Sequence, residues 1–234
     1  GPEHPDLGGL LNNLANVRYE QGAIAEARAP YERALAIWEK ALGPEHPSVA
    51  ITLANLAMVH GKLGDHRQGL ALEARALTLQ EKAFGPEHPS VATTLVNMAH
   101  AHVALGAKAE ARRLYERALA IDEKAVGPEH PGLEYALVGL AELALEAGEH
   151  AAAIEQASRA VAVTASATAS ADRAAEARFM LARALWAAPD GRGRDRVRAR
   201  ELASAALAGL RGSEGAASEL AEVEAWLATH RVPP

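Results

Sequence analysis

The sequence predicts an all-α solenoid of helix-turn-helix repeats. Three observations predict it. First, Gly-Pro-Glu-His-Pro occurs four times, beginning at Gly1, Gly43, Gly85 and Gly127, a constant spacing of 42 residues. A fixed period of a few tens of residues marks an array in which each unit buries its apolar face against its neighbours. Second, apolar residues recur at helical spacing within each period. Third, glycine and proline punctuate the same places in every copy.

The copies are taken as 1–42, 43–84, 85–126 and 127–168. In the first helix of each, the apolar face reads Leu11, Leu14 and Val17, then Leu53, Leu56 and Val59, then Leu95, Met98 and Ala101, then Leu137, Leu140 and Leu143. An alanine beside each central residue (Ala15, Ala57, Ala99, Ala141) lets two helices approach closely. Gly22, Gly64, Gly106 and Gly148 follow, suited to the left-handed position that ends helices. The second helix carries small residues at Ala27, Gly69, Ala111 and Ala153 and larger apolar ones at Leu35, Leu77, Leu119 and Val161.

The repeated pentapeptide reads as a stop followed by a start. Gly43 follows the last apolar residue and suits a C-cap, Pro44 cannot continue that helix, and Pro47 suits the first turn of the next. His4, His46, His88 and His130 recur in it. Successive repeats displace equivalent residues by roughly 10 Å or more, too far to share one metal ion, so capping and turn packing are expected of them.

Residues 169–234 form a divergent unit. A fifth helix pair is expected at Ala174–Ala187 and Arg194–Leu210, joined by the loop 189–193, and a capping helix around Leu220, Val223, Trp226 and Leu227.

Composition bounds the function. At 49% hydrophobic and 4% aromatic residues, a chain rich in alanine and leucine packs as close helices. No cysteine is present, so thiolate metal sites and cysteine nucleophiles are excluded. No apolar run approaches the ~18 residues of a membrane span, which leads to the expectation of a cytoplasmic protein without a membrane partner. The net charge of −6 argues against nucleic acid as a partner. No phosphate loop, zinc-protease motif or kinase signature occurs, so neither catalysis, cofactor nor metal is expected.

Asn13-Leu14-Ala15, Gly22, Ala27, Tyr31 and Ala34 in copy one, and Asn97-Met98-Ala99, Gly106, Ala111, Tyr115 and Ala118 in copy three, resemble the tetratricopeptide repeat. The long period, the Gly-x-x-His-Pro linker and the phrase Leu11-Asn-Asn-Leu-Ala15 resemble its kinesin-light-chain type. The stretches 177–186 and 222–228 resemble the repeat region behind the catalytic domain of some bacterial Ser/Thr protein kinases. The resemblance implies a right-handed superhelix whose first helices line a concave groove for a protein or peptide. The groove positions it implies include Asn12, Asn16, Tyr19, Met58, Lys62, Val96, His100, Val103, Tyr135 and Glu142. Asn16 and Tyr19 are expected to point away from the inter-helix core. Arg194, Arg196 and Arg198 form a secondary basic patch, read first as a solvated helix face and second as a docking surface.

The reading is therefore an interaction module: a scaffold, adaptor or sensor arm of a bacterial signalling protein, with an upstream kinase or ATPase domain in the same full-length chain. The alternatives are a receptor for a small signalling peptide or molecule, and a structural array that forms homo-oligomers by end-to-end stacking.

Overall fold

A computed structural model describes residues 4–165, 169–191, 193–213 and 215–231. The first three residues of the first pentapeptide, part of the Ser/Thr/Ala stretch that replaces the fifth linker, and Arg192 of the basic run lie outside the described residues. Helices alternate with short turns throughout: α1 (Pro5–Glu20), α2 (Ile24–Leu42), α3 (Pro47–Lys62), α4 (His66–Phe84), α5 (Pro89–Ala104), α6 (Lys108–Val126), α7 (Glu134–Glu146), α8 (His150–Val163), α9 (Ala171–Ala187), α10 (Arg196–Leu210) and α11 (Ala217–Thr229). A short 3₁₀ turn, Pro131–Leu133, precedes α7. The chain forms two compact units, Gly1–Ile121 and Asp122–Pro234, so the division falls inside α6.

The pentapeptide histidines cap the helices that follow. Each accepts a backbone N–H on Nδ1: from Asp6 to His4 at 3.3 Å, from Ser48 to His46 and Ser90 to His88 at 3.2 Å, and from Gly132 to His130 at 3.0 Å. Each satisfies one of the orphan donors of a helix start. Proline at the first helical position completes the start. At the other end, Gly22 adopts φ of 76°, its N–H bonds Tyr19 C=O, and Ala23 N–H bonds Arg18 C=O. The same pair of bonds recurs at Gly64, Gly106 and Gly148, a Schellman cap in every copy.

Unit 1 packs α3 between α2 and α4. Leu56 and Val59 meet Ala27, Tyr31 and Leu35, while Val49 and Leu53 meet Leu35, Trp38, Leu72 and Ala76. The corresponding positions of α1 are different: Leu14 and Val17, expected as packing residues, are 45% and 48% exposed. Copy one compensates elsewhere: Trp38 Nε1 donates to Pro5 C=O at 3.2 Å and its ring lies over Gly8, where a Cβ would meet it at 2.6 Å.

Successive second helices are tied by a charge ladder in repeat register. Arg75 pairs with Glu39 and Arg117 with Glu81, each at 2.5 Å, in unit 1, and Arg159 pairs with Glu123 in unit 2.

Unit 2 has a different core. Phe179, Met180, Leu181 and Leu185 of α9 pack against Ala199, Ala203 and Ala206 of α10 and Val223 of α11. Trp226 meets Phe179 and Trp186 edge-on, at 5.9 and 5.5 Å, and stacks on His230 at 4.2 Å. The unit also holds an ion pair between half-buried Arg173 and buried Glu134, Nε to Oε2 at 3.1 Å, with Arg173 also bonded to Pro131 C=O. Glu134 is 0% exposed; burial, and then the charge of Glu176, pushes its carboxyl up to about 7.

Candidate functional site

In unit 1 the first helices present one face on which two cavities repeat in register. The first, about 120 Å³, is lined by Asn16, Tyr19, Glu20, Tyr31, Asn55 and Met58. Adding one period to each gives Met58, Gly61, Lys62, Glu73, Asn97 and His100, all of which line the second cavity, about 290 Å³. Tyr19, Ala57, His66, Gly69 and Ala101 complete it. The positions are the same; the chemistry is not.

In the first cavity Tyr31, 3% exposed, donates its hydroxyl to Asn16 Oδ1 at 2.6 Å, and Asn55 Nδ2 donates to the same oxygen at 3.4 Å. Burial, then the Tyr19 and Glu20 side chains, pushes the Tyr31 hydroxyl up to about 12, so it remains a donor. In the second cavity Glu73 stands where Tyr31 stands and Gly61 where Tyr19 stands. Glu73 is 3% exposed; Asn97 Nδ2 donates to its Oε1 at 3.2 Å, and Oε2 has no hydrogen-bond partner among the described residues. Burial pushes this carboxyl up to about 8, with the Asn97 bond acting the other way.

The residues expected in the groove divide accordingly. Tyr19, Met58, Lys62 and His100 line the larger cavity, and Asn16 the smaller. Asn16 does not point away from the inter-helix core, as expected, but joins α2 and α3 through Tyr31 and Asn55. Tyr19 likewise is half-buried against Ala15, Ala27 and Tyr31. The short Asn side chain at that register reaches the facing helix rather than solvent. Asn12 is buried and accepts from Thr52 Oγ1 at 3.3 Å, and Val96 is buried; neither lines these cavities, nor does half-buried Val103. His100 meets the Tyr115 ring edge-on at 5.5 Å.

In unit 2, Tyr135 is exposed with the Arg173 guanidinium 4.5 Å over its ring, and Glu142 pairs with Arg183 at 3.3 Å. Glu142 lines a cavity of about 480 Å³ with Asp172, Glu176, Glu219, Glu222, Phe179 and Arg183. Crowding by protein around the Glu176 carboxyl, then the charges of Glu142 and Glu219, hold it above the usual carboxylate range. Charge is the one feature there that points to a ligand, and no buried unpartnered polar atom among the described residues lines that cavity. The basic patch is largely committed to structure. Arg194 bonds Ala188 C=O at 2.6 Å and Asp190 at 2.8 Å, and Arg196 lies 5.1 Å over the Trp186 ring, while Arg198 is exposed.

Sequence reasoning missed Glu73, Asn55 and Asn97. The signal was present: Tyr31 and Tyr115 recur at the same position of copies one and three, and copy two breaks the pattern with Glu73.

A sequence profile described as Tetratricopeptide repeat matches residues 6–82, 52–124 and 109–166. No curated protein matches the chain at a significant level. Among solved structures, a Podosopora anserina protein described as a kinesin light chain with nearly identical TPR-like repeats is 28% identical. Its alignment covers 91% of this chain and 99% of that one, with a TM-score of 0.68. BtubC (BKLC) from P. vanneervenii is 17% identical over 97% of this chain and 85% of its own, with a TM-score of 0.71. Pseudomonas aeruginosa pilF is 16% identical over 96% and 89%, with a TM-score of 0.64. The last two bear on the fold alone. The profile spans more than half of the chain, its helix pairs carry the caps of the repeat in every copy, and the chain belongs to the tetratricopeptide repeat family.

Proposed function

We propose that this chain is a protein-interaction module, without catalysis of its own, that holds an extended segment of a partner protein along the first-helix face of unit 1. The observation that supports this is the pair of cavities in repeat register, opening beside Tyr19, Met58, Lys62 and His100. A row of sites one repeat apart suits an extended chain, whose side chains enter successive cavities while its backbone meets polar groups between them. Tetratricopeptide repeat proteins are in general interaction scaffolds of this kind. The described helices include none long and apolar enough to cross a membrane, and the proposal includes no membrane partner. A role as the sensor or adaptor arm of a bacterial signalling protein, in the cytoplasm and beside an upstream kinase or ATPase domain, belongs to the same proposal. It rests on sequence resemblance.

The test is selection of binders from a displayed peptide library on the folded chain. Selected peptides are expected to lose about 1–3 kcal/mol of affinity in Tyr19→Ala/Met58→Ala, the range for losing aromatic and apolar anchors. They are expected to change little with salt, because few exposed charges line the cavities. Peptides that ignore this double variant but fail against Arg194→Ala/Arg196→Ala/Arg198→Ala place the site on the basic face instead.

A further inference from the structure

We infer that the larger cavity of unit 1 seats one phenol-bearing side chain, a tyrosine of the partner, whose hydroxyl meets Glu73 Oε2. This rests on the groove reading above and names the chemistry of its central contact. Three observations carry it.

The first is volume. In copies one and three the corresponding side chain is the chain's own tyrosine, Tyr31 and Tyr115, 3% and 1% exposed. In copy two Glu73 is shorter than that ring and Gly61 replaces Tyr19, and the cavity grows from about 120 to about 290 Å³. A Cβ on Gly61 would meet nothing within 4 Å, whereas one on Gly69 would lie 3.2 Å from Ala57 C=O. The close approach of α3 and α4 is therefore kept at Gly69 while space opens beside Gly61.

The second is the orphan oxygen. A buried polar atom without a partner costs about 1–3 kcal/mol. Glu73 Oε2 is such an atom, in a cavity that opens beside it, while Oε1 is already held by Asn97.

The third is the precedent inside the same chain. One period earlier, a tyrosine hydroxyl satisfies the single oxygen of Asn16 at 2.6 Å. A phenol is apolar over its ring, matching Tyr19 and Met58, and its hydroxyl both donates and accepts. It therefore suits Glu73 whether the carboxyl carries its proton or not, which an ammonium group does not. Because burial raises that carboxyl to about 8, both forms occur near neutral pH.

The experiment is a titration of the full chain followed by amide NMR, with p-cresol, toluene and benzylamine as probes. p-Cresol is expected to shift Gly61, Gly69 and Asn97 saturably, with a dissociation constant on the order of 1 mM for so small a probe. Toluene and benzylamine are expected to bind at least five-fold more weakly. Glu73→Gln, whose amide also donates and accepts, is expected to keep p-cresol binding within about three-fold. Glu73→Tyr, checked for helicity, is expected to lose it. Equal binding of toluene overturns the hydroxyl contact, tighter binding of benzylamine makes the cavity a cation site, and no saturable shift at Gly61 and Asn97 removes the seat altogether. Selected peptides that still depend on Tyr19 and Met58 while p-cresol fails leave the groove reading standing and sink this one.

Discussion

The two cavities of unit 1 occupy identical repeat positions and differ in what their side chains are for. At the first, Tyr31, Asn16 and Asn55 satisfy one another, and Asn16, first read as a groove residue, joins α2 and α3. At the second, Glu73 and Gly61 leave space and an unpaired oxygen. A repeat array makes such a comparison informative because backbone geometry is held nearly constant while side chains vary. A departure from the pattern that lowers packing and polar satisfaction together calls for a reason other than stability. Unit 2 adds a partial contrast: its Glu134 is also buried and its Oε1 has no hydrogen-bond partner among the described residues, but an arginine meets Oε2.

That difference is tested most strongly at Arg173. Arg173→Ala leaves Glu134 buried without its partner and is expected to cost about 3 kcal/mol, at the low end for a broken buried pair because the carboxyl escapes by taking up a proton. The loss should be larger at pH 8 than at pH 5, measured by urea unfolding. Arg159→Ala, which breaks the half-exposed pair with Glu123, should cost less than about 1 kcal/mol. Equal losses would remove the distinction between the two pairs.

Glu73 supplies a second, smaller effect with a definite sign. Its folded value, about 8, lies above the ordinary 4.5, so the folded state binds the proton more tightly. Its favourable contribution is complete below about pH 4.5 and is lost as pH rises through 8. Glu73→Gln should therefore lie close to the wild type near pH 5 and exceed it by a gap that widens as pH rises to about 8.5. Lys62, His66 and His100 line the same cavity in both proteins and largely cancel in the difference. A gap that is constant with pH would show that the carboxyl is not desolvated in the folded state.

The smallest effect concerns the linker. His46→Ala removes the acceptor for Ser48 N–H and should cost about 1 kcal/mol, with His46→Asp recovering most of it. No recovery in His46→Asp would mean that the ring packs rather than caps.

Much of the fold was legible because its signals are local. The pentapeptide, the cap glycines Gly22, Gly64, Gly106 and Gly148, and the spacing of three in Leu53, Leu56 and Val59 each act within a turn or two of helix. The site was legible only in outline. The period places Tyr19, Met58, Lys62 and His100 at related positions, but it does not report which departures lie side by side in space. Glu73 and Gly61 are 12 positions apart on successive helices, and their effects add in a single cavity. The ladder of Arg75 to Glu39 and Arg117 to Glu81 escaped for the same reason: each pair joins second helices of different copies, beyond any pattern within one helix.

The central claim is that the second repeat gives up packing in order to bind. Glu73→Tyr tests it most directly, because it restores the side chain of copies one and three. Its thermal midpoint and its affinity for the peptides selected on the wild type should be measured together at pH 8. The account predicts a midpoint equal to or above the wild type's, with affinity reduced at least ten-fold, about 1.4 kcal/mol. A lower midpoint with unchanged affinity would contradict it, since Glu73 would then serve the fold and not the partner.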